Sequence, residues 1–169
     1  MHRFTKILLP AVAALFLLAT GHAHADMAPV TKMLWEPEAK TYAADGRFER
    51  CYIRAAYDNG MILWLHHSIH GVGVGLSTSP WTLPEDRAVT VRVRVDGAAE
   101  QAGDTRKAST TNGASIMLGR DGKVLDALAG GRELTLTPDA QFGPPVRLPL
   151  DGIEHATAAL RSCFATNNH

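Results

Sequence analysis

The sequence has only two cysteines, Cys51 and Cys163, in 169 residues. Two thiols allow one disulfide and no larger framework. Long hydrophobic runs are missing as well. The longest, residues 7–19, spans about 13 residues and contains Pro10, short of the roughly 20 that a helix needs to cross a bilayer. Excess charge of either sign is absent, with 17 Lys and Arg against 17 Asp and Glu. Without clustered cations the chain lacks the electrostatic footprint of a nucleic-acid binder. No G-x-S-x-G elbow and no activated cysteine beside a histidine is present. Neither an internal repeat nor a biased linker divides the chain.

What is present begins with an export signal. Arg3 and Lys6 precede the apolar stretch, and Ala23-His24-Ala25 supplies an A-x-A cleavage site. No Cys stands at that site, which argues against a lipid anchor. Cleavage leaves residues 26–169 as a single domain, with 15 basic and 17 acidic residues. Five of the eight histidines remain: His66, His67, His70, His155 and His169. In a periplasmic or secreted setting Cys51 and Cys163 meet oxidising conditions. A bond between them closes a loop of about 110 residues, worth on the order of 4 kcal/mol by chain entropy. The alternative is a pair of buried free thiols.

The middle of the chain reads as strands. Residues 48–57 alternate, with Cys51, Ile53 and Ala55 on one face and Arg50, Tyr52 and Arg54 on the other. Asn59-Gly60 then signals a two-residue type I′ hairpin. Residues 61–65 are apolar on both faces, as in a central strand. Residues 71–76 alternate Gly71, Gly73 and Gly75 with Val72, Val74 and Leu76, leaving a flat strip of bare backbone. Residues 88–96 are the clearest strand, with Val at 89, 91, 93 and 95. The proline-rich segment 79–84 reads as a crossover loop that tucks Trp81 inward. Residues 97–113 are polar, a loop or weak edge strand. Shorter strands are expected at 115–118, 133–137 and 146–150. A short helix fits 121–129, stopped by Gly130-Gly131. A last helix over 152–164 opens on a capping box of Asp151 and Glu154. Its apolar stripe is Ile153, Ala156, Leu160, Cys163 and Phe164, which turns Cys163 toward an inward-pointing Cys51.

Three features invite chemistry. His66, His67 and His70 offer imidazoles for zinc or copper, with His155 or His169 as further ligands through the fold. On a strand, however, His66 and His67 point to opposite faces; the competing reading is structural. The glycine strip Gly71, Gly73 and Gly75, with Trp81, is the candidate binding surface. It is not a dinucleotide fingerprint, because the glycines lie within a β alternation. Arg50, Arg54, Arg92 and Arg94 make a basic stripe, most simply a solvated face. Pairs among Glu85, Asp86, Asp96 and Asp126 carry no specific catalytic signal.

Cys51, the run 57–60, the segment 81–84, the strand 91–97, the run 125–128 and the stretch 148–152 leading into 158–160 together resemble the invasion-associated locus B family. The same order of strands, with a Cys ending the last helix, also resembles a group of small periplasmic β-rich proteins of Gram-negative bacteria. The resemblance covers most of residues 48–162. The chain departs from that family in having no cysteine within 97–120. It implies an envelope location and a role in host interaction, with no catalytic residues to carry over.

These readings converge on an α+β fold: an antiparallel sandwich or twisted sheet of seven or eight strands closed by the C-terminal helix. The function expected is that of an exported, non-enzymatic binding protein of the bacterial envelope, with an envelope or host protein as partner, no nucleic acid, and no transmembrane segment in the mature chain. The rivals are a periplasmic metal-binding protein using His66, His67 and His70, and an exported hydrolase whose site is assembled from distant residues.

Overall fold

The computed structural model describes residues 31–36, 39–77, 80–84, 87–96, 101–110, 113–120 and 123–168. The expected signal peptide, Glu85, Asp86 and His169 lie outside them. In chain order the strands are β1 (Lys32–Trp35), β2 (Ala39–Tyr42), β3 (Phe48–Tyr57), β4 (Ile62–Ser68), β5 (Gly71–Ser77), β6 (Thr90–Val95), β7 (Gln101–Thr110), β8 (Gly113–Gly119), β9 (Glu133–Pro138) and β10 (Val146–Pro149). Helix α1 (Lys123–Gly130) lies between β8 and β9, and α2 (Ile153–Asn167) closes the chain.

All pairings are antiparallel, in the order β1-β3-β4-β5-β8-β7-β6-β9-β10. β1 and β2 lie end to end along one edge of β3. The first part of β7 pairs with β6 and the second with β8, with a register shift between Arg106 and Thr110. This one strand therefore serves two sheets: a larger one built on β3, β4, β5 and β8, and a smaller one on β6, β9 and β10. Their inward side chains enter one core, including Ile53, Leu63, Leu65, Val74 and Ile116 from the larger sheet and Val91, Val93, Leu134, Leu136 and Leu148 from the smaller.

The expected α+β class is the one observed, with more strands than the alternation suggested. β1 and β2 are short and lack a period-2 apolar pattern long enough to read. Polar segment 101–110 pairs along both edges as β7 because its neighbours need partners for their backbone groups. The turn after β3 also differs from the two-residue form. Gly60 donates to the Tyr57 carbonyl at 3.0 Å, Tyr57 donates to Met61 at 3.0 Å, and Gly60 has φ +82°. That is a three-residue loop ending in a left-handed glycine.

Helix α2 packs on α1, β3 and β4. Its stripe is as expected: Ile153, Ala156, Leu160 and Cys163 are buried and Phe164 is half-buried. Its start is not. Gly152, at φ +72°, occupies the cap position, with no side-chain cap hydrogen bond. Asp151 lies one residue too early for a capping box, and its carbonyl instead accepts the Trp35 indole N–H at 2.8 Å. The Tyr57 hydroxyl donates to the Pro149 carbonyl at 3.0 Å. Together these two bonds tie the β1 and β3 end of the larger sheet to the segment that launches α2.

Candidate functional site

Strand β4 is the axis of the site, because its side chains alternate between two very different surroundings. Register pairs Cys51 with His67 and His67 with Val72, so these three share the inner face. There Cys51 is bonded to Cys163 of α2, with Cα atoms 6.2 Å apart across 112 residues of sequence. The His67 ring stacks on Phe164 at 3.8 Å, nearly parallel. Its Nδ1 is buried without a hydrogen-bond partner. Burial, then the Arg161 charge, lowers the His67 pKa, so the ring is held neutral as packing material.

On the outer face, register places Tyr52 opposite His66 and His66 opposite Gly73, with Gly73 opposite Met117 of β8. Only a glycine fits at position 73. A Cβ there would lie 2.4 Å from the His66 Nε2 and 2.6 Å from the Ile116 carbonyl oxygen. At Gly75 a Cβ would press on the Ala114 carbonyl at 3.2 Å and on the Trp64 Cβ at 3.4 Å. The glycine strip is thus a floor on which His66 and Trp64 lie, rather than bare backbone open to a ligand. His66 is only 7% exposed, and its Nε2 is 3.3 Å from the Met117 Sδ. Burial first, then the charges of Arg50 and of His67, pushes its pKa down to about 4.

Around this floor stand half-buried aromatic and cationic side chains. The Tyr52 and Trp64 rings meet at 5.6 Å, and the Arg54 guanidinium lies 5.4 Å from the Trp64 ring centre. Arg54 is held from its other side by Glu36, and the Trp64 indole N–H donates to the Ser77 hydroxyl at 3.0 Å. Arg50 flanks the group one register step beyond Tyr52, opposite Ser68.

The other candidates fall elsewhere. His70 sits in the two-residue turn between β4 and β5, exposed, its backbone N–H donating to the Ser68 hydroxyl at 3.2 Å. His66, His67 and His70 therefore do not converge, and among the described residues no three His, Cys, Asp or Glu are grouped to hold a metal ion. Trp81 is 2% exposed, and its indole N–H donates to the Pro144 carbonyl at 2.9 Å; it belongs to the core. Arg92 and Arg94 lie on the outer face of the smaller sheet, so they do not extend the Arg50–Arg54 stripe. Asp96 accepts the backbone N–H groups of Arg132 and Glu133, and Asp126 accepts from Arg161. Both carboxylates hold the structure together.

Met117, Tyr52 and Trp64 are absent from the sequence-based candidates; Arg54 is among them only as part of the basic stripe. The alternation of Arg50, Tyr52 and Arg54 in β3, and of Trp64 and His66 in β4, carries a readable hint of one shared face. No local pattern marks Met117, whose contact depends on the β5–β8 pairing.

Fold and bridge together define a disulfide-braced α+β domain with two antiparallel sheets. None of the described helices is long and apolar enough to cross a membrane. No protein-family model and no curated protein sequence matches the chain. Solved structures do. The crystal structure of invasion associated protein B from Bartonella henselae is similar over 80% of this chain and 99% of its own, with a TM-score of 0.50 and 14% identity. That likeness is one of fold. The expected resemblance to invasion-associated locus B proteins thus has a structural counterpart.

Proposed function

We propose that the protein is an exported, non-enzymatic binding protein of the bacterial envelope, and that it takes a protein partner on the outer face of the larger sheet. The observation that carries this reading is the half-buried set Arg50, Tyr52, Arg54 and Trp64, fixed on a rigid strand pair. Tyr, Trp and Arg dominate the energetic centres of protein interfaces because they bring large contact area and directed hydrogen bonds at low entropic cost. Arg54 and Arg50 are each paired with a carboxylate of the chain itself, Glu36 and Glu49, and offer their remaining N–H donors to polar groups of the partner. Export is supported by the signal sequence in residues 1–25 and by the disulfide. A host-interaction role is consistent with the name of the similar Bartonella protein.

The test is capture of envelope and host-surface proteins by the disulfide-bonded protein, with Tyr52→Ala and Arg50→Glu set against Arg94→Ala on the other sheet. A partner retained by wild type and Arg94→Ala but lost by the first two variants is the expected outcome. Capture that ignores Tyr52 and Arg50, or that depends equally on Arg94, overturns the assignment of the face. Export is checked separately by fractionation and by an intact mass that starts at Asp26.

A further inference from the structure

Among the described residues the exposed large hydrophobic side chains are Leu34, Tyr42 and Ile69. Register puts two of them at the same end of the larger sheet. Tyr42 pairs with Phe48 at the start of β3, and Arg50 pairs with Ser68 at the end of β4, so the turn that holds Ile69 lies beside Phe48. Leu34 pairs with Ala56, near the other end. The Tyr42 ring meets Phe48 edge-on at 6.2 Å, and Phe48 meets Phe164 of α2 at 5.9 Å. Tyr42 is thus the outer member of an aromatic row rooted in the core. We infer that this end of the sheet docks on an anionic lipid surface, with Ile69 and Tyr42 entering the headgroup region.

Charge selects this occupant. Asp45 and Glu49, the carboxylates described at this end, are each bound to an arginine, Arg47 and Arg50. Two further cations are matched by no carboxylate among the described residues. Lys40 donates to the Asn167 side-chain oxygen at 3.3 Å, at the end of α2. Arg120 is exposed beside the Ile69 turn, where a Cβ on Gly71 would lie 3.1 Å from its Cα. The far end of the sheet bears the opposite sign, with Asp58 in the β3–β4 turn and Asp151 and Glu154 around the start of α2. A negatively charged bilayer therefore orients the molecule as well as attracting it. Ile69 projects from a two-residue turn, and a fluid surface accepts a projecting apolar side chain without a matching pocket. Tyrosine and nearby cations are the side chains that settle at the headgroup level.

The probe is vesicles of equal parts phosphatidylglycerol and phosphatidylethanolamine, co-sedimented with the disulfide-bonded protein at low ionic strength. Vesicles of phosphatidylcholine are the uncharged comparison. Binding is expected to the anionic vesicles, to weaken as salt is added, and to be about tenfold weaker or more on phosphatidylcholine. Ile69→Asp and Arg120→Glu are each expected to weaken it by about fivefold or more, and Ile69→Trp to strengthen it. Leu34→Asp, at the other end, should leave it unchanged, and circular dichroism checks that each variant is folded. Absence of binding to the anionic vesicles, or equal binding to phosphatidylcholine, overturns the inference. So does a loss in Ile69→Asp without one in Arg120→Glu, or an equal loss in Leu34→Asp. The vesicles hold no protein, and Ile69 and Arg120 lie outside the Tyr52–Trp64–Arg54 group. Capture of a protein partner without vesicle binding would therefore leave the binding reading standing and overturn this one.

Discussion

Adjacent histidines on β4 show how differently the two faces of the larger sheet are built. His67 faces inward, stacked on Phe164 beside the Cys51–Cys163 bridge, and has a ring nitrogen with nothing to bond. His66 faces outward, yet is the more buried of the two, 7% exposed against a half-buried His67. The inner face is sealed by a helix that must stay in place. The outer face is sealed at His66, by its seat on Gly73, and at Ser68, while Tyr52, Trp64 and Arg54 remain partly open. The inner face thus carries stability, and the outer face carries a pre-formed surface that the core does not require.

The most damaging way to break the contrast is to release the helix from the inner face. Replacing Cys51 and Cys163 together by Ala frees a segment of 112 residues. The loss is expected to be about 4 kcal/mol, read as a shift in the urea midpoint. Capture of a partner by the folded fraction should persist, since the outer-face side chains are not covered by α2. A double variant as stable as wild type would mean that packing alone holds α2 on β3 and β4.

Acid attacks the outer face next. The folded pKa of His66, about 4, lies below its ordinary value of 6.5. The neutral ring is therefore favoured by folding, and its contribution is complete above about pH 6.5. It is lost progressively as pH falls from 6.5 toward 4, because the unfolded chain takes up the proton first. The full loss is about 3 kcal/mol. His67 is shifted in the same direction and adds to it. Urea midpoints at pH 7.0 and 4.5 check this, with His66→Phe expected to show a shallower decline. A decline equally steep in His66→Phe would move the cause to other groups.

A smaller effect is expected from Gly73→Ala. The new methyl would meet the His66 ring and the Ile116 backbone, and because the backbone cannot retreat, His66 must swing off its seat. A cost of about 2 kcal/mol is expected, together with loss of the His66–Met117 contact, visible as a rise of the His66 pKa in NMR titration. An unchanged pKa would show that the glycine floor does not position the ring.

The origin of each face explains how much of it was legible. Period-2 alternation placed Cys51, Ile53 and Ala55 inward, and the helical stripe placed Cys163 toward them, so the bridge and most of the core followed from local pattern. The opposite directions of His66 and His67 came from the same rule. Pairings that cross long stretches of sequence left no local mark. The polar strand β7 is held between two sheets by backbone bonds, and Met117 reaches His66 only because β5 pairs with β8. Trp81 was legible as tucked inward but was also offered as a binding residue; its bond to the Pro144 carbonyl comes from a loop 63 residues away. The glycine strip looked like open surface because alternation shows which side a residue faces, and not which neighbouring ring lies upon it.

His67 provides the finest test of the contrast. If the inner face serves packing only, the imidazole chemistry of His67 is dispensable. His67→Leu removes the stacked ring but also removes a buried nitrogen that has no partner. Replacing an unsatisfied polar group by an apolar one of similar size is close to neutral, so the change is expected to stay within about 1 kcal/mol at pH 7. It should also flatten the acid dependence slightly, since His67 no longer resists protonation. A loss well above that bound would show that the ring nitrogen makes a bond essential to the inner face. The two histidines would then differ in partner and not in kind.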